Sequence, residues 1–214
     1  MQNLWIYGTG GHFSVVRDLI TSMGNFNIFG YIDDDVNKEG SKLFGHKIIG
    51  GLQKFKNYYQ NPACTNMFIA IGDNSIREKL VIELRDYNFP VIIHPSAIIG
   101  HKVKIGCGTI VMPGAIVEAH AKIGKHCIIN NCAIIGHGST VKDFCHISGG
   151  AILNGQTFIN KGTLIGTGAC ITQSAHIGKY CRIGAGSVIT KSVSDGKFMF
   201  GNPARVINNY LIND

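Results

Sequence analysis

No apolar run in the chain approaches the ~20 residues of a membrane-spanning helix. Met1 to Ile6 enters a strand-like run without the basic opening or apolar core of a secretory leader. These two absences set the expectation of a cytoplasmic protein with no membrane insertion. Charge is scarce, with Asp, Glu, Lys and Arg at 15% of residues. No Lys/Arg run is interleaved with aromatics, which argues against nucleic acid as a partner. Seven cysteines are present, yet no Cys-x-x-Cys pair, and a reducing compartment fits them best.

What remains is an apolar, glycine-rich chain of 214 residues, 45% hydrophobic, with 28 glycines and a formal charge of +7. That is enough for one large or two small domains. The positive balance suits small polyanionic substrates. From Ile93 to Ile189 every sixth residue is Ile, Leu or Val, seventeen positions without an insertion. Two residues before most of these sits a small residue, among them Ala97, Thr109, Ala115, Cys127, Ser139 and Ser187; Val103 is the bulkiest exception. Cys127, Cys145 and Cys181 share that slot and read as compact apolar fillers. A helix cannot use a period of six. A solenoid of very short strands can, because each turn buries an aliphatic and needs a small residue at a tight corner.

Ahead of the repeat, strands alternate with helices, which predicts a small Rossmann-like α/β domain with a parallel sheet over residues 1–92. Strands are expected at Leu4–Tyr7, Asn27–Ile32, Met67–Ile71 and Val91–Ile93. Helices are expected at Phe13–Met23, Leu52–Tyr59 and Ser75–Tyr87, the last capped by Asn74 or Ser75, with Glu78 completing a capping box. The solenoid is assigned to 93–190. A closing segment and polar tail take 191–214, with Phe198–Ile207 closing and Asn208–Asp214 as the tail.

Gly8-Thr9-Gly10-Gly11 lies between a strand and a helix, where backbone amides and the helix start favour an anion. Asp33-Asp34-Asp35 follows the second strand, where such folds bond a ribose or base. The third position of the dinucleotide fingerprint is Phe13 rather than glycine, and about ninety residues are too few for two nucleotide-binding halves. A nicotinamide dehydrogenase is therefore disfavoured, and a tight βα turn is the alternative reading of the loop.

Eighteen residues make one three-sided coil, so residues eighteen apart stack. No two of His94, His101, His120, His126, His137, His146 and His176 have that spacing. This spacing argues against a metal held by stacked histidines of one chain and leaves a site across subunits open. His137 and His146, nine apart, fall on different sides, so one site using both needs neighbouring copies. Gly136 and Gly138 flank His137, which keeps its imidazole accessible as a general base.

Several segments occur here in one order: Ile6-Tyr7-Gly8-Thr9-Gly10-Gly11-His12, Tyr31-Ile32-Asp33-Asp34, Ile71-Gly72-Asp73-Asn74, His94-Pro95-Ser96-Ala97, Ile134-Ile135-Gly136-His137 and Gly201-Asn202-Pro203-Ala204-Arg205. With the six-residue repeat they resemble the hexapeptide-repeat sugar acetyltransferases, the group of nucleotide-sugar 4-amino N-acetyltransferases and sialic-acid O-acetyltransferases. The resemblance implies a left-handed parallel β-helix assembled as a homotrimer, with acetyl-CoA between adjacent helices and no metal. It makes His137 the general base and places His146 near the thioester. Gly155 would offer an N–H to the thioester carbonyl. Thr167 and Ala185 would line the pantetheine path, with Pro203 and Arg205 at the nucleotide end of CoA. Thr9, Gly10, Gly11 and His12 would approach the diphosphate and sugar, Asp33 and Asp34 the uridine or its ribose, and Asn130 would frame the site.

One departure stands out. The family usually has Glu or Asp directly after the catalytic histidine, and this chain has Gly138. Glu118 and Asp143 are substitutes by charge alone. The expected reaction is direct attack of a sugar amine, UDP-linked in the first instance, on acetyl-CoA, without an acyl-enzyme. A GDP-linked amino sugar, O-acetylation of a sialic acid or another sugar hydroxyl, and a purely structural solenoid are the alternatives.

Overall fold

The computed structural model describes residues 1–59 and 61–207, so the expected tail at 208–214 lies outside the described residues. The chain divides into two compact units, Met1–Ile92 and Ile93–Asp214.

In the first unit, β1 (Gln2–Tyr7), α1 (Phe13–Met23), β2 (Phe26–Ile32), a hairpin of β3 (Lys42–Leu43) and β4 (His46–Lys47), α2 (Leu52–Tyr58), β5 (Asn66–Ile69) and α3 (Asn74–Glu83) follow in order. The sheet runs β2-β1-β5, with β1 parallel to both neighbours. Val16, Leu19 and Ile20 form the buried stripe of α1, which stops at Gly24 in the left-handed region, φ 68°. Phe13 is buried and meets Tyr31 edge-on, centroids 4.9 Å apart. It fills the space that a third fingerprint glycine would leave open.

Three expectations are corrected here. The cap of α3 is Asp73, not Asn74 or Ser75: its carboxylate accepts from the Ser75 and Ile76 amides, both at 2.8 Å. The helix ends at Glu83 rather than Tyr87. Asn88 bonds backbone to backbone with Thr65 and Met67, which draws the chain alongside β5. The expected fourth strand, Val91–Ile93, is found at Ile92–Ile93 as the first strand of the solenoid's eight-stranded sheet instead.

The second unit is a parallel β-solenoid of two-residue strands on three faces. A first face of six strands runs from Ile98–Ile99 to Val188–Ile189. A second, of five, runs from Lys104–Ile105 to His176–Ile177. The third face carries His146–Ile147 and ends in the hairpin Phe198–Gly201/Ala204–Val206, which forms the closing segment. Strands pair with an offset of eighteen residues, as in Ile116 with Ile134 and Ile134 with Ile152.

From Val111 onward the sixth-residue aliphatics form one buried core with the small-slot residues. Small-slot hydroxyls are bonded between coils: Thr163 Oγ1 donates to Gly178 O at 2.7 Å and accepts from Cys181 N at 3.1 Å. The slot cysteines do more than fill space. Their thiols donate to carbonyls of the next coil, Cys127 to Lys142 O at 3.1 Å and Cys145 to Asn160 O at 3.0 Å.

The outward residue of each strand differentiates the faces. On the first face these are Ile98, Ile116, Ile134, Ile152, Cys170 and Val188, an apolar column with Ile98 62% exposed. All seven lysines between residues 93 and 190 lie in, or within two residues of, a strand of the second face. The lysines of the solenoid are therefore gathered along that face, while Arg182 stands exposed on the third.

Candidate functional site

The expected site residues fall into three groups. The first lies on the corner between the first and second faces. His137 is exposed there, just past Ile134–Ile135 and Gly136. Gly155 is one coil further on. A Cβ built on Gly155 would stand 2.4 Å from His137 Nε2, so the imidazole rests directly on the glycine. Among the described residues neither ring nitrogen of His137 has a hydrogen-bond partner, and the Gly155 N–H donates to none. A free imidazole and a free backbone donor thus stand side by side at one surface corner.

The second group lies on the corner between the third and first faces. His146 is half-buried on the third face, and its Nε2 stands 3.3 Å from Asn130 Nδ2. Asn130 Oδ1 accepts from the Asn131 amide at 2.8 Å, which holds the side chain against the corner. Thr167 and Ala185 are exposed on the same corner, one coil apart. Beyond them Pro203 and Arg205, in the closing hairpin, line a cavity of about 280 Å³ with Ile189, Lys191 and Met199. Its apolar floor and two cations suit an aromatic base carrying phosphate.

The two corners are the two edges of the apolar first face. His137 and His146 are accordingly on different sides of one chain, and a single copy does not bring them together.

The third group belongs to the N-terminal unit. Gly10 and Gly11 are exposed, with open space where a Cβ would stand. The start of α1 has no side-chain cap, and its Phe13 N–H donates to Gly10 O at 3.0 Å. His12 is half-buried, and burial first, then the Arg77 guanidinium, lowers it to about 4. It is neutral at pH 7 and serves there as a hydrogen-bonding group rather than a cation. Arg77, 2% exposed, had no place in the sequence reading. Its guanidinium bonds the carbonyls of Ile71 at 3.0 Å and Gly72 at 3.1 Å, and Asn74 Oδ1 at 2.7 Å. The only hint in the sequence is an arginine one turn before the apolar Leu80 and Val81.

The two acids are already engaged. Asp33 Oδ2 accepts from Thr9 N at 2.9 Å, from Thr9 Oγ1 and from Lys38 Nζ at 3.0 Å. Partial burial would raise its pKa, but these bonds outweigh it and hold the carboxyl at about 2. Asp34 accepts from the Tyr7 hydroxyl and from Leu52 N at 3.1 Å, capping α2. Thr9 is thus bound to Asp33 through both its amide and its hydroxyl, and the exposed residues of the loop are Gly10 and Gly11.

Comparison with known proteins extends this picture. Residues 3–84 match the PglD N-terminal domain, and 102–137 and 156–191 match the bacterial transferase hexapeptide repeat. The acetyltransferase domain of PglB from Neisseria gonorrhoeae, solved with acetyl coenzyme A, is 33% identical. It superposes with a TM-score of 0.88 over 96% of this chain and 99% of that one. PerB from Caulobacter crescentus, solved with CoA and GDP-perosamine, is 28% identical at a TM-score of 0.88, covering 97% of this chain and 98% of that one. A UDP-N-acetylbacillosamine N-acetyltransferase of Bacillus subtilis is 36% identical over 124 residues, 52% of this chain. That match spans about half, 51%, of the Bacillus enzyme's length.

Proposed function

The chain belongs to the hexapeptide-repeat sugar acetyltransferases with a PglD-type N-terminal domain, and on that premise we propose that it moves the acetyl group of acetyl-CoA onto the amine of a nucleotide-linked 4-amino-deoxysugar. The observation that carries this reading is the pairing of His137 with Gly155 at one corner. One offers a base, the other an amide donor, and neither is occupied by the fold. The sugar amine attacks the thioester carbon directly. His137 takes the proton as the nitrogen becomes positive. The Gly155 N–H supports the oxygen of the tetrahedral intermediate, which collapses with CoA thiolate as leaving group.

The acetyl-CoA chain runs along Thr167 and Ala185, with His146 and Asn130 near the thioester and Pro203 and Arg205 at the nucleotide end. Gly10 and Gly11, with Thr9 and His12 behind them, receive the diphosphate of the sugar nucleotide. Asp33 and Asp34 act by shaping that loop, since their carboxylates already bond Thr9 and Tyr7. The acetyl-CoA corner and the base corner meet when copies pack side by side. Three copies in a ring would cover the apolar column from Ile98 to Val188.

A transfer assay with UDP- and GDP-linked 4-amino sugars and free sialic acid tests the substrate. The UDP-linked amine is expected to give a kcat/KM at least about a hundredfold above free sialic acid. Turnover of sialic acid alone would replace this reading with O-acetylation. Preference for the GDP-linked amine would move only the nucleotide.

Gly155→Ala tests the shared corner. Its methyl would enter the space of the His137 ring, at 2.4 Å from Nε2. A ring displaced by even 1 Å loses its line to the amine, so kcat is expected to fall about a hundredfold. The circular-dichroism melt should stay near that of the wild type, because the site is at the surface. Wild-type kcat in Gly155→Ala would separate the imidazole from the chemistry.

A further inference from the structure

The family's carboxylate beside the base is absent at Gly138, and of the two acids that could replace it by charge, the structure brings one to His137. Glu118 lies one coil before His137, on the same corner, and its Oε2 accepts the His137 backbone N–H at 2.7 Å. The next amide, Gly138 N–H, donates to Ala119 O at 3.0 Å. On the other side, His137 O accepts from Gln156 N at 2.8 Å, and the ring rests on Gly155. His137 is therefore held from the preceding coil by Glu118 and from the following coil by the Gly155–Gln156 segment.

Asp143 has a different occupation. Its Oδ1 accepts from Lys125 N at 2.7 Å, on the corner after the second face. Asp195 does the same for Lys179 N at 2.8 Å. A carboxylate closing a corner amide is thus a recurring device of this solenoid, and at one corner it closes the amide of the proposed base.

We infer that Glu118 is the positioning residue for acetyl transfer. It acts through the backbone of His137, since no ion pair joins its carboxylate to the imidazole among the described residues. A charge-assisted bond to the amide fixes the direction in which the side chain leaves the corner. The family achieves its histidine orientation from the next residue in the chain. Here the acid is nineteen residues earlier, and one coil of the solenoid closes that distance. The inference rests on the reading of His137 as the base.

The test compares Glu118→Ala, Glu118→Gln and Asp143→Ala with the wild type by steady-state kinetics and by amide hydrogen exchange at His137. Glu118→Ala is expected to lower kcat about tenfold, to leave both KM values within about twofold, and to speed exchange of the His137 amide at least about tenfold. Glu118→Gln retains an acceptor oxygen, so its kcat should stay within about threefold of wild type. Asp143→Ala opens a corner remote from His137 and should leave kcat unchanged. Unaltered kcat in Glu118→Ala, beside an inactive His137→Ala, overturns the role of Glu118 and keeps the functional reading. An equal loss in Asp143→Ala also overturns it, because general loosening of corners would then suffice. A wild-type chain that acetylates no nucleotide-linked amine overturns the functional reading, and the role of Glu118 with it.

Discussion

Replacing His137 by alanine should reduce kcat for sugar acetylation about a thousandfold while both KM values stay within about threefold. The imidazole is exposed, and neither ring nitrogen bonds another group among the described residues. Its removal leaves no buried polar group without a partner, so the melting temperature should hardly move. A loss confined to kcat identifies a group used in the transition state and not in substrate binding. The vacated space lies over Gly155 and opens to solvent, so added imidazole should restore part of the lost rate. A variant keeping more than a tenth of wild-type kcat would mean that solvent, or the amine itself, handles the proton. Background transfer by an already neutral amine should grow with pH in the variant, which makes a neutral buffer the stringent condition.

The solenoid was legible because its constraint is local and repeats. An inward aliphatic every sixth residue and a small corner residue two places before it leave one register, and the strands follow it from Ile98 to Ile189. The same arithmetic could have found the clearance under His137, since Gly155 is eighteen residues beyond it. Contacts that tertiary structure makes over longer reaches were not visible. The bonds that Asp33 and Asp34 accept from Thr9, Tyr7 and Leu52 are of this kind. The end of α3 was missed because Leu80, Leu84 and Tyr87 keep helical spacing and are all buried, yet the last two sit in turns after the helix. Asn74 and Ser75 are the expected caps of that helix, and only the fold shows Asp73 reaching two amides. Glu118 was a candidate by charge, and its place beside His137 depends on the coil closing.

Mixing two inactive variants should produce an active enzyme. His137→Ala removes the base. Ala185→Arg puts a long side chain on the exposed corner assigned to the pantetheine, so it should block acetyl-CoA without disturbing the core. Within one chain these positions lie on opposite edges of the first face, so a groove using both takes one from each of two neighbours. When the variants are refolded together in equal amounts, about a quarter of the grooves of a trimer receive an intact base from one copy and an intact acetyl-CoA corner from the next. Activity should rise from near zero to about a quarter of wild type, a gain of more than a hundredfold over either variant alone. The measurement needs native mass spectrometry on the same sample, to verify that mixed assemblies form. Mixed trimers without recovered activity would mean that each chain completes its own site, and the groove between copies would be lost as an explanation. Recovery would also assign the apolar column its purpose: Ile116, Ile134 and Ile152 lie between the two corners, so the contact that covers them is the one that brings base and thioester together.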